Sequence, residues 1–212
     1  MTESRRDVSS RNKNIFHKLS RGLIKIGLRP NHISILSVVF AVIGAYGFFI
    51  INNNFWLGVI LALLGIQLRL VCNLIDGLMA VEGKLSSPQG ELYNDVPDRF
   101  SDWFLIISVG FVISIYPYSW EFCWLAVVLA ILTAYVRVLG ASQKVGHFFV
   151  GPMAKQHRMA LLNLGLIGLI FEKYIGGSSY SLYYTVIIIA FGSFITVVRR
   201  LYLISKKLGE TS

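Results

Sequence analysis

The sequence predicts an all-α polytopic membrane protein, with six transmembrane helices preceded by an amphipathic helix in the membrane interface. Three observations lead there. Hydrophobic residues make up 55% of the 212 positions, and the mean hydropathy is +0.63, high for a soluble domain of this size. The apolar residues are gathered into long runs rather than alternating with polar ones. The chain also carries a formal charge of +9, which in so apolar a setting suits anionic lipid headgroups. Nothing in it resembles a nucleic-acid-binding module, so no nucleic acid is expected as a partner.

Residues 1–13 are polar and basic and are expected to be a disordered tail. From Asn14 to Ile26 the chain is amphipathic. Ile15, Leu19, Leu23 and Ile26 share a face, with Lys18, Arg21 and Lys25 away from it, the pattern of an interfacial helix. Arg29-Pro30-Asn31-His32 breaks that helix.

Ile33 to Ile51 is an uncharged run long enough to cross a bilayer. It is too long for the apolar core of a signal peptide, and no small-residue cleavage site follows. After the turn Asn52-Asn53-Asn54, a second run is apolar from Phe55 to Leu68 and continues through Arg69, Asn73 and Asp76. The third starts polar at Asn94 and is apolar from Trp103 to Tyr116. The fourth runs from Phe122 to Val136 and ends at Arg137; the fifth starts at His157-Arg158 and is apolar from Met159 to Phe171. The sixth runs from Tyr180 to Val198 and ends at Arg199-Arg200. Residues 14–205 read as a single membrane domain and 206–212 as a tail. Cys72 and Cys123 sit in different runs and read as packing residues.

Basic residues crowd Arg5 to Arg29 and recur at Lys84, at Lys144, Lys155 and Arg158, and from Arg199 to Lys207, whereas the opposite loops hold only Lys173. The positive-inside rule then places both termini in the cytoplasm, with a bacterial inner or plasma membrane as the expected location. The middle four runs fall short of the roughly 20 apolar residues a span needs. Arg69 and Asp76, Asp98 and Asp102, Arg137, and Arg158 make up the missing lengths, all at cytoplasmic ends. A charge at mid-span costs about 2.5–3.5 kcal/mol, so these groups are expected to face one another or a wet cavity. Snorkelling at a helix end accounts for Arg199 and Arg200. It does not account for Asp76 and Asp98, whose side chains are short.

The densest polar stretch joins the second and third runs. On a helix Asn73 and Asp76 share a face, which Arg69 and Ala80 extend. On the next helix Asn94, Asp98 and Asp102 form one stripe, and Asp95, Asp98 and Asp102 a second. Carboxylates gathered between two helices need cations among them to stay ionised. Hard divalent ions with oxygen ligands are the simplest answer. Asn94, with Pro97 three residues on, is also placed to be a helix N-cap. Asp102 lies deepest in its run, and an unpaired carboxylate there would be costly, so Arg99 or Arg69 is expected as its partner.

Asn73, Asp76, Gly77, Ala80, Val81, Gly90, Asn94 and Asp98 stand at the spacing of the CDP-alcohol phosphatidyltransferase motif, D-x2-D-G-x2-A-R-x8-G-x3-D-x3-D. The chain resembles that family, with Asn73, Val81 and Asn94 in place of an Asp, an Arg and an Asp. The resemblance implies transfer of a phosphatidyl group from CDP-diacylglycerol to an alcohol with release of CMP, in phospholipid biosynthesis. It implies Mg²⁺ or Mn²⁺, two ions, at Asn73, Asp76, Asn94 and Asp98, the last also matching the general base; Asp95, in the same turn as Asn94, restores a carboxylate there and joins the candidate ligands. Asp76, Gly77, Ala80 and Gly90 match the CDP-binding positions, although alone Gly77 and Ala80 read as helix packing and Gly90 as a loop turn. Arg69, Lys84 or Arg99 is left to replace the cation missing at Val81.

Arg137, Lys155 and Arg158 lie where the family has basic residues near its acceptor pocket, and would suit an anionic acceptor such as a sugar or glycerol phosphate. Read without the family, they are cytoplasmic loop charges. The resemblance also implies a homodimer among membrane lipids. Two other functions compete: a catalytically weak CDP-lipid-binding member, which the two asparagines would suit, and a transporter, against which stands the lack of a visible inverted repeat.

Overall fold

The structure, a computed structural model, describes residues 14–83 and 89–210. The expected basic tail at 1–13, the end of the C-terminal tail and Lys84 lie outside the described residues. Seven α-helices make up the described chain: α1 (Asn14–Lys25), α2 (Pro30–Ile50), α3 (Phe55–Glu82), α4 (Gly90–Ile113), α5 (Ser119–Ser142), α6 (Lys155–Ile175) and α7 (Tyr180–Gly209). Pro30 opens α2, where its fixed φ and missing N–H do no harm. The Asn54 side chain caps α3 by accepting from the Leu57 N–H at 3.3 Å. Among the described residues α2, α3, α5 and α7 are long and apolar enough to cross a membrane. Charges interrupt the other two long helices, α4 with Asp95, Asp98, Arg99 and Asp102, and α6 with Lys155, Arg158, Glu172 and Lys173.

The helices fall into two compact units. One contains α1, α2, α3 and α4 as far as Leu105; the other contains the rest of α4 with α5, α6 and α7, and residues 51–53.

In the first unit α2 and α3 pack backbone to backbone. A Cβ on Gly65 would lie 2.5 Å from the Gly44 backbone, and one on Gly47 would lie 2.5 Å from the Ala62 nitrogen. Small residues facing each other are what permit so close an approach. Leu23, Ile24 and Leu28 rest on a cluster of Ile33, Cys72, Ile75 and Met79, which seats α1. Ile15, Leu19 and Ile26 stay exposed. The apolar face read from the sequence is therefore divided: Leu23 turns inward with Ile24, and the other three face outward.

In the second unit α7 packs against both α5 and α6. A Cβ on Gly165 would lie 2.6 Å from Thr185 Oγ1, a helix contact of the same kind. Val136, Val145, Val197 and Ile204 form a core at the far end of α5 and α7.

Helix α4 begins a turn earlier than the N-cap reading of Asn94 requires. Gly90 is its first residue rather than a loop turn, Asn94 lies inside it and exposed, and Pro97 is an interior proline. Proline cannot supply the N–H that would bond back to residue 93, so the polar first turns are joined to the apolar remainder with one ladder bond missing.

Candidate active site

The polar face of α3 meets that of α4 around one side chain, Arg69. It is wholly buried, and its Nη2 lies 2.6 Å from Asp102 Oδ1 and 3.8 Å from Asp98 Oδ1. The same nitrogen donates to the Asp98 backbone carbonyl at 3.4 Å. Of the two partners expected for Asp102, the structure selects Arg69. Arg99 instead lies 3.9 Å from Asp98 Oδ2 and donates from Nε to the Asp95 carbonyl at 3.2 Å.

This contact sets the register. Arg69 and Asp102 stand at similar distances along their helices from the short connection between α3 and α4, so the helices run antiparallel. Asn73 lies one turn from Arg69 on α3, and Asp98 one turn from Asp102 on α4. Asp76 and Asp98 are buried, Asn73 and Asp95 half-buried and Asn94 exposed. Gly77 is buried, and Ala80 and Gly90 are half-buried. Val81, where the resemblance leads one to expect an arginine, is exposed.

Asp76 has a partner the sequence reading missed. Ser34 Oγ, on α2, donates to Asp76 Oδ2 at 2.6 Å. Arg69 Nε and Nη1 and Asn73 Nδ2 are buried without a hydrogen-bond partner among the described residues. Unmet donors in such a place are costly.

Among the described residues no three His, Cys, Asp or Glu side chains are gathered as a metal-holding group. The donor chemistry nevertheless fits a hard divalent cation. Asp76 and Asp98 are buried carboxylates, and Asn73, one turn from Asp76 on α3, carries an amide oxygen. Such an ion would take its remaining ligands from water or from substrate phosphate, as Mg²⁺ commonly does. Exposed Asn94 is the predicted ligand least drawn in, while Asp95 is half-buried like Asn73.

The second unit holds the basic cluster. Arg158 is buried, and its Nη1 donates to the Met153 carbonyl at 3.0 Å and to Thr133 Oγ1 at 3.4 Å. Arg200 is buried too: its Nε donates to the Val150 carbonyl at 2.9 Å and its Nη1 to the Thr133 carbonyl. Snorkelling thus describes the exposed Arg199 but not Arg200. Helical spacing gave a hint, since neighbours on α7 point to different faces. Arg137 is half-buried with its guanidinium over the Phe149 ring at 5.7 Å, and Lys155 is half-buried at the start of α6. Two buried arginines thus converge on Thr133.

The sequence matches no protein-family model and no protein of curated function. Its shape does match solved structures. Two are crystal structures of the phosphatidylinositol phosphate synthase of Mycobacterium tuberculosis. The one with CDP-DAG bound has a TM-score of 0.71 at 20% identity, over 91% of this chain and 94% of that one. The one in complex with manganese and citrate has a TM-score of 0.71 at 20% identity, over 89% of this chain and 88% of that one. The chain therefore has the fold of that synthase along nearly its whole length.

Proposed function

We propose that the chain is an integral membrane enzyme of the CDP-alcohol phosphatidyltransferase family, transferring a phosphatidyl group from CDP-diacylglycerol to an alcohol and releasing CMP. The observation that carries this reading is the burial of Asp76 and Asp98, at the spacing of that family's motif, in a chain with the fold of a synthase crystallised with CDP-DAG. Buried carboxylates in an apolar chain are expensive and so mark function.

Here α2 to α7 are the six spans of a single membrane domain, α1 lies in the cytoplasmic interface, and both termini are cytoplasmic. Exposed Ile15, Leu19 and Ile26 give α1 an apolar face for that interface. Helix α3, with 28 residues, is about 42 Å long at the usual rise, against about 30 Å of hydrocarbon. Its motif end can therefore reach the headgroup level, where a CDP group would lie.

Asp98 accepts the proton of the acceptor hydroxyl as that oxygen attacks the phosphorus bearing the diacylglycerol. The bond from that phosphorus to the CMP oxygen breaks, and CMP leaves with the electron pair. Asp76, Asp98 and Asn73 would hold a divalent ion such as Mg²⁺ or Mn²⁺, which would supply positive charge at the leaving phosphate. Manganese is present in one structure of the similar synthase. Gly77, Ala80 and Gly90 leave room for the nucleotide against the helix backbone. Arg137, Lys155 and Arg158, with Arg200, favour an anionic acceptor such as a sugar or glycerol phosphate.

The exposure of Asn94 favours a second reading, a member that holds a CDP-lipid without turning it over. One experiment separates the two. The purified chain is incubated with CDP-diacylglycerol, Mg²⁺ or Mn²⁺ and a panel of alcohols and sugar phosphates, and the lipid products are read by mass. A new phospholipid with equimolar CMP supports the enzyme. Saturable CDP-lipid binding without CMP supports the binder.

A further inference from the structure

The Arg69 guanidinium lies between two carboxylates one helical turn apart on α4, and it is committed to the farther one along the chain. Nη2 stands 2.6 Å from Asp102 Oδ1 but 3.8 Å from Asp98 Oδ1, the latter beyond hydrogen-bond distance. Its bond at residue 98 goes to the backbone carbonyl instead.

We propose that Asp102 is a positioning residue: by holding Arg69, it keeps the Asp98 carboxylate available to a divalent cation. This rests on the reading of Asp98 as a cation ligand. A buried guanidinium does not stay without an anion. If Asp102 lost its charge, the next carboxylate in reach would be Asp98, and rotation about the Arg69 side-chain bonds would close the gap. Arg69 Nε and Nη1 lack partners among the described residues, so such a contact would also satisfy donors now unmet.

A guanidinium bonded to Asp98 competes with a metal ion for the same oxygen lone pairs and repels it as a like charge. Arg99 approaches Asp98 from the other oxygen at 3.9 Å, but its side chain is 22% exposed and so partly screened by solvent. Arg69 has no such screening. The residue that sets cation affinity at Asp98 is on this account not itself a ligand.

The test is Mn²⁺ binding to the full chain in detergent, read by electron paramagnetic resonance with no lipid substrate present. Asp102→Asn should weaken Mn²⁺ binding about tenfold or more, as loss of a residue supporting a ligand does. Arg69→Gln/Asp102→Asn, which removes both charges, should bind within about threefold of the unaltered chain, a non-additive rescue. Unaltered binding in Asp102→Asn overturns the proposal. Loss of Mn²⁺ in the double variant overturns it too, because Asp102 or Arg69 would then be needed directly. Where Asp102→Asn does not fold, the double variant, which removes Arg69 together with its closest carboxylate, keeps the proposal falsifiable, because loss of Mn²⁺ there overturns it. An unaltered chain that binds no Mn²⁺ overturns instead the reading of Asp98 as a ligand.

Discussion

Ser34 Oγ donates a 2.6 Å hydrogen bond to Asp76 Oδ2, joining the start of α2 to the motif end of α3. Both residues are buried. The hydroxyl has one proton and lies 3.2 Å from the Pro30 carbonyl, so the shorter, charge-assisted contact takes it. Ser34 thereby fixes the rotamer of a proposed cation ligand. Ser34→Ala should weaken Mn²⁺ binding about 10- to 100-fold, the usual effect of removing a group that supports a ligand. Ser34→Thr should retain it. A titration of both variants checks this, and equal affinity in Ser34→Ala would show that Asp76 needs no such support.

This contact also marks where sequence reading ends. The helices were legible because apolar runs of span length are broken by Pro30, the triple asparagine and clustered charges. The Arg69–Asp102 pair was half legible, since a carboxylate deep in an apolar run demands a cation and only two were near. Ser34 and Arg200 were not legible. A serine within an apolar helix reads as neutral packing, and its partner lies 42 positions away. Arg200 reads as a helix-end charge until the fold brings Val150 and Thr133 to it. The N-cap reading of Asn94 failed because residues 90–93 continue the helix ahead of it, so Pro97 stands in the helix interior.

Lys155 and Arg158, both proposed to bind the acceptor, differ in their surroundings. Lys155 is half-buried at the start of α6, whereas Arg158 holds the Met153 carbonyl and Thr133 from a buried position. Lys155→Ala should raise KM for an anionic acceptor about tenfold while leaving KM for CDP-diacylglycerol and thermal stability unchanged, an exposed-side charge contact being worth little to the fold. Arg158→Ala should also lower the melting temperature, because it leaves buried acceptors unpaired at about 1–3 kcal/mol each. Steady-state kinetics and a thermal-shift measurement on each variant separate the roles. A neutral alcohol as the sole productive acceptor would remove the anion-binding role from both.

The proposed topology places Gln143 in the cytoplasm and Ser178 on the opposite side. Both are exposed, while the native Cys72 and Cys123 are buried, so an introduced cysteine is the one that an impermeant reagent reaches first. Gln143→Cys should be labelled only from the cytoplasmic side of sealed vesicles and Ser178→Cys only from the other. Labelling of both from one side would contradict the assignment of α6 as a span, because α6 and the segment before it separate the two positions.

The central claim is that Asp98 performs phosphatidyl transfer from a buried place beside Arg69, and it is tested most directly by CMP release from CDP-diacylglycerol in the Asp98→Asn variant. With Mn²⁺ and the best acceptor from the panel, the unaltered chain should release CMP in step with a new phospholipid. Asp98→Asn, folded and stable in detergent, should release it about 10²–10⁴-fold more slowly, the range for loss of a general base. CMP release by Asp98→Asn at the rate of the unaltered chain would contradict the account.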